Sequence, residues 1–130
     1  MTKRVELWTC VLGAFLGLSG CGDKVIYPVK LATRPNTFAL SEEHWGGHIT
    51  GVMVWTSGPE RNLEWEIVPT QNVDVRGFVV TVGVIREGFR QTTPLPPKRF
   101  VPKAGMEYVI GVAGDFHPTA WPVEIAWKAD

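Results

Sequence analysis

The chain has 130 residues, 45% of them apolar and 20% charged, with 13 Lys and Arg set against 13 Asp and Glu. That length suits one domain with little left over for a second. The even charge balance lacks the basic footprint of nucleic-acid binding, and no Lys/Arg cluster is dense enough to anchor a protein to a membrane by electrostatics alone.

In chain order, Met1-Thr2-Lys3-Arg4-Val5-Glu6 leads into an apolar run from Leu7 to Leu18, followed by Ser19-Gly20-Cys21. A short positive start, an apolar stretch and small residues at a cleavage site make a secretory signal peptide. The run is too short for an ordinary transmembrane helix, which needs about 20 apolar residues. Leu18-Ser19-Gly20-Cys21 resembles the lipobox of bacterial lipoproteins at each of its positions. The resemblance implies cleavage between Gly20 and Cys21, a diacylglycerol thioether on the Cys21 sulfur, and acylation of the new amine. Two or three acyl chains, at about 0.8 kcal/mol per buried methylene, hold such a protein on a bilayer essentially permanently. Gly22 stands where retention at the inner membrane favours Asp. The resemblance therefore implies the outer membrane, facing the periplasm.

Cys10 falls in the leader, so cleavage leaves Cys21 as the single cysteine. An oxidising compartment permits disulfides, but a lone cysteine has no partner in its own chain. It excludes a dithiol redox centre and a cysteine-based zinc site. Residues 21–130 keep 11 basic and 12 acidic side chains. The expected division is a signal peptide over 1–20, an acylated N-terminus and short tether over 21–24, and a β-sandwich domain over 25–130.

The first strand is expected around Val25, Tyr27, Val29 and Leu31, with Pro28 marking a sheet edge. Arg34-Pro35-Asn36 is a turn, and Thr37 to Leu40 forms a second short strand. Ser41 to Gly47 is a loop or one helical turn, ended by paired glycines. Ile49 to Thr56 is β-branched and apolar, and Ser57 to Asn62 is a turn cluster. Leu63, Trp65 and Ile67 alternate with Glu64, Glu66 and Val68, the period of a strand with one wet face. Phe78 to Ile85 reads as a longer strand covered on both faces, and Gln91 to Pro97 as a proline-rich connector. Met106, Tyr108, Ile110 and Val112 form one inward row; Trp121, Val123, Ile125 and Trp127 form the last. About seven strands and no convincing helix after the leader predict an all-β fold, an antiparallel sandwich.

The segment Phe100-Val-Pro102-Lys-Ala-Gly105-Met-Glu-Tyr108 resembles the corner before the penultimate strand of immunoglobulin and fibronectin type III-like domains; a transthyretin-like sandwich would share the same layout. The resemblance implies that the Tyr108 hydroxyl bonds back to the corner backbone. From Phe100 to Trp127, the corner, the apolar strand, Gly114-Asp115-Phe116 and Trp121 resemble the end of the outer-membrane sandwich lipoprotein of type VI secretion systems. That family carries a longer N-terminal half with no equivalent here. Lipobox plus small sandwich is also similar to periplasmic lipoproteins that confer immunity to toxins delivered by such systems. Both resemblances imply a protein partner.

No set of residues makes a catalytic centre. Ser41 and Ser57 lie in turns outside any nucleophile elbow. Glu64 and Glu66 share the wet face of a strand, where charges belong in any case. His44 and His48 share a helical spacing with Glu42 and Glu43 nearby, and Asp115 and His117 could add ligands. Gly46 and Gly47 between the two histidines disfavour a helix there by about 2 kcal/mol relative to alanines, so no metal and no cofactor is expected. Pro94 to Arg99 has the look of a polyproline ligand but reads as a stiff linker. Trp45, in a polar loop, is the expected contact residue, with His44, His48 and Trp55 as further members of a partner surface. The expected function is a non-enzymatic, membrane-anchored protein-interaction module, with small-ligand or glycan binding through Trp45 as the alternative.

Overall fold

A computed structural model of the protein describes residues 27–41, 47–115 and 122–130. They form eight strands and no helix: β1 (Pro28–Lys30), β2 (Thr37–Leu40), β3 (Ile49–Thr56), β4 (Leu63–Pro69), β5 (Val79–Thr81), β6 (Phe89–Thr93), β7 (Glu107–Gly114) and β8 (Val123–Lys128). Every pairing is antiparallel. One sheet has the order β1-β2-β5 and the other β6-β4-β3-β7-β8. The two inner faces share one apolar core, so the fold is an antiparallel β-sandwich.

Alternation explains the larger sheet. Val54 faces Trp65 on one side and Ile110 on the other; Val52 likewise faces Ile67 and Val112. These six side chains are fully buried or nearly so, and their odd-numbered or even-numbered neighbours lie on the opposite face. Phe38 and Val80 supply the facing layer from the smaller sheet.

Two groups of contacts close the sandwich. The Phe38 ring meets Trp127 edge-on at 4.9 Å, Trp127 lies 5.4 Å from Tyr108, and Tyr108 meets Phe100 edge-on at 5.7 Å. The row runs from the small sheet, across the large one, into the loop before β7. Beside it, Trp127 Nε1 donates to Asn36 Oδ1 at 3.1 Å, and that oxygen also accepts the Asp130 N–H at 2.9 Å. Asn36 can serve the turn because it adopts a positive φ of 52°, which Asn tolerates better than most residues.

The second group surrounds Gln91, which is buried on the inner face of β6. Its Oε1 accepts from Trp65 Nε1 at 3.0 Å, and its Nε2 donates to the carbonyls of Pro94 and Lys98, each at 2.7 Å. One amide thus satisfies the core tryptophan and ties down the loop beyond β6. That loop contains cis peptide bonds at Thr93-Pro94 and Pro96-Pro97.

Five local expectations change, one of them at Leu63, expected on the inner row with Trp65 and Ile67 but exposed at the start of β4. Around Pro28 the facing is reversed: Pro28 is buried, while Tyr27 and Val29 are exposed. The strand expected to reach Ile85 ends at Thr81, because Gly83 turns the chain at φ 90° and a Cβ there would lie 2.6 Å from the Phe100 carbonyl oxygen. Gln91 to Thr93 belong to β6 rather than to a connector, which starts only at Pro94. Met106, expected inward, is exposed in the turn that precedes β7.

Replacing Gln91 with Leu should remove one buried and two partly buried hydrogen bonds and strand the Trp65 N–H. The expected loss is roughly 2–4 kcal/mol, read as a lower urea midpoint at unchanged denaturant slope.

Candidate interaction surface

The sandwich has two ends. At one, the backbone bonds of Ile49 to Val73, Val75 to Gly47 and Asp115 to His48 join the start of β3, the segment before β5 and the end of β7. At the other lie the turns 31–36 and 57–62 and the loop 94–106. There the Gly105 N–H donates to the Ala129 carbonyl and the Ala129 N–H to the Met106 carbonyl, each at 2.9 Å.

His48 stands at the first end. Its backbone N–H donates to Asp115 Oδ1 at 2.5 Å, and its Nδ1 lies 3.7 Å from Asp115 Oδ2. An isolated antiparallel bridge pairs His48 with Asp74. Asp74 is in turn held by Arg76, whose Nη2 and Nε donate to its two carboxylate oxygens at 2.8 and 3.1 Å. The His48 N–H, first, holds the Asp115 carboxyl below the ordinary carboxylate range; the Arg76 guanidinium does the same for Asp74. The imidazole itself stays half exposed. The flanks of both neighbouring loops, Ser41 and Gly47 and Asp115 and Pro122, lie at this end. Among the described residues no group of three or more His, Cys, Asp or Glu is placed to hold a metal ion.

Trp55 is at the other end of β3, roughly 20 Å along the strand, and on the outer face of the large sheet. It is half-buried. The edge of its ring lies against Gly111, where a Cβ would come within 2.8 Å of Trp55 Cζ3. The Arg61 guanidinium covers it 4.6 Å from the ring centroid and also bonds Glu124 Oε2 at 3.0 Å. Trp55 is thus engaged within its own chain, and it does not share a patch with His48. Sequence reasoning grouped them by residue type; nothing in the spacing reveals that Arg61 and Gly111 enclose the indole.

At the corner, the Lys103 N–H donates to the Tyr108 hydroxyl at 3.0 Å, with Phe100 packed on the same ring. Pro102 packs near Gly83, and Gly105 takes a φ of 85° in the turn. These four corner residues hold a loop in place. His44, Trp45 and Cys21, with the whole leader, lie outside the described residues.

An open groove at the second end is lined by Lys30, Ala32, Thr33, Arg34, Pro35 and Asp130. Its one acidic side chain is already taken: Asp130 accepts from Lys30 Nζ and from the Asn36 N–H. No protein-family model matches the chain, and neither a curated protein nor a solved structure matches it.

Asp74, Asp115 and Asp130 all have carboxyls held below their ordinary range. Their contribution to stability is present above the unfolded-state value, near 4, and is lost as pH falls through the lower folded-state values. Asp115→Asn should therefore flatten the decline of melting temperature measured from pH 5 downward. An unchanged decline would mean that the His48 contact contributes nothing.

Proposed function

We propose that the protein is a lipoprotein of the bacterial envelope, acylated at Cys21, whose sandwich serves as a non-enzymatic interaction module for another periplasmic protein. The observation that carries the first half is Leu18-Ser19-Gly20-Cys21, placed directly after the apolar run. For the second half, the support is the end of the sandwich at His48. There, three separate stretches meet around a half-exposed imidazole, the Asp115 carboxylate bonded to the His48 N–H, and the Asp74–Arg76 ion pair. The polar loop with His44 and Trp45 leaves and rejoins the fold beside them. A rigid base carrying polar loops suits recognition of a protein surface, in which a tryptophan commonly contributes 2 kcal/mol or more. Gly22 supports placement at the outer membrane, and the resemblances of Phe100 to Trp127 and of the lipobox-plus-sandwich layout support a link to type VI secretion or to toxin immunity.

Two substitutions test the two halves separately. Cys21→Ser should abolish palmitate incorporation and leave an uncleaved or soluble chain, and labelling that survives it would sink the lipid anchor. Trp45→Ala should abolish partner capture from periplasmic extract while the melting temperature stays nearly constant. A core tryptophan cut to alanine would instead cost about 3–5 kcal/mol of stability, and that outcome would remove Trp45 from the contact surface.

A further inference from the structure

The end of the sandwich opposite His48 carries a feature that the proposed function does not use. From Pro94 to Met106 the chain contains Lys98, Arg99 and Lys103 and no acidic residue, although the whole sequence is balanced in charge. Two of the most exposed large apolar side chains of the described residues lie in this same stretch: Leu95 is 75% exposed and Val101 78%. A second pair, Val84 at 54% and Ile85 at 48%, follows Gly83, whose backbone touches the Phe100 carbonyl. Two loops therefore bring aliphatic side chains and cations to one corner. Among the described residues, no side chain of Lys98, Arg99 or Lys103 meets a carboxylate.

This corner is not a slack loop. Gln91 holds the Pro94 and Lys98 carbonyls, the Lys98 N–H donates to the Leu95 carbonyl at 3.1 Å, and Tyr108 holds the Lys103 N–H. Its backbone is fixed from inside while its apolar side chains project into water. Few exposed apolar groups need explanation singly, but a cluster of them around a loop whose charged side chains are Lys98, Arg99 and Lys103 does.

We propose that this tip docks on an anionic lipid surface, with Leu95, Val101, Val84 and Ile85 entering beneath the headgroups and Lys98, Arg99 and Lys103 meeting the phosphates. A protein partner would need a shape complementary to the tip, and the centres of protein interfaces favour aromatic side chains; no exposed aromatic is present at this corner. Fluid acyl chains accept projecting aliphatic groups without a matching socket, and lipid phosphates supply the opposite charge. The contact orients the domain and does not depend on acylation of Cys21. If Cys21 is acylated, the six residues to Tyr27 reach about 20 Å. Strands of eight residues are roughly 26 Å long, so anchor and tip can touch one bilayer with the sheets lying along it.

The test uses the proposed mature chain, residues 21–130, with Cys21→Ser, which carries neither the lipid nor the apolar leader, and a nitroxide on Val101→Cys. With phosphatidylglycerol–phosphatidylcholine vesicles, the label should become accessible to oxygen and shielded from a water-soluble nickel relaxant. A label on Asn72→Cys, at the opposite end, should stay aqueous. Adding Lys98→Glu, Arg99→Glu and Lys103→Glu should return the Val101 label to water. A Val101 label that remains aqueous on the anionic vesicles overturns the proposal, as does equal immersion in pure phosphatidylcholine. Immobilisation by poly-L-glutamate without immersion in either vesicle also overturns it and assigns the tip to an acidic protein.

Discussion

Trp127 joins the two layers. Its ring packs against Phe38 of the small sheet and Tyr108 of the large one, while its indole N–H is bonded to Asn36. Aromatic pairs of this kind add about 0.5–1.5 kcal/mol each beyond the area they bury. Their larger effect here is geometric. With Trp127 fixed, the turn 31–36 is fixed through Asn36. Tyr108 is fixed as well, and through its hydroxyl the loop at Lys103. The three-stranded sheet has strands of only three or four residues. Such strands form few ladder bonds of their own, so their place depends on side chains reaching across the core.

Gln91 shows how polar groups can support such a core. Its amide has no unused neighbour: one indole donor and two carbonyl acceptors account for it. A buried amide in this state specifies position more sharply than an apolar side chain of similar volume would, since each bond demands both a distance and a direction. The same residue explains why β6 was hard to read. Phe89-Arg90-Gln91-Thr92-Thr93 has a single apolar member, so hydrophobic periodicity gives no signal for a strand whose inner face includes an amide.

Other elements were legible because their inner rows are apolar throughout. Ile49 to Thr56 is β-branched and apolar, while Trp65 and Ile67 and Tyr108, Ile110 and Val112 alternate with period two and are buried on that period. Thr37 to Leu40 was bounded by turn residues alone. The corner could be read because Pro102, Gly105 and Tyr108 each have a separate geometric reason to occur there. Gly83 could not be weighted in the same way, for the constraint upon it is the Phe100 carbonyl, seventeen residues away in sequence. Trp55 fails for a similar reason: its cover comes from Arg61 and its edge contact from Gly111. The surface at His48 was partly visible, in that His48 and Asp115 were both singled out. Their pairing depends on β3 and β7 being neighbours, which no local pattern states.

The clasp between Asn36 and the end of β8 spans 91 residues to Trp127 and 94 to Asp130. Closing a loop of that length has an entropic cost that grows only slowly with its length, but it must be met before the contact returns anything. During synthesis, Phe38 and Asn36 leave the ribosome long before the residues that secure them. Until Trp127 and Asp130 emerge, the small sheet lacks its covering ring and the turn lacks its acceptor. The hairpins of the large sheet, β3 with β4 and later β7 with β8, can pair as they appear. Completion of the sandwich therefore waits for Trp127 and Asp130, in whatever order the hairpins of the large sheet form.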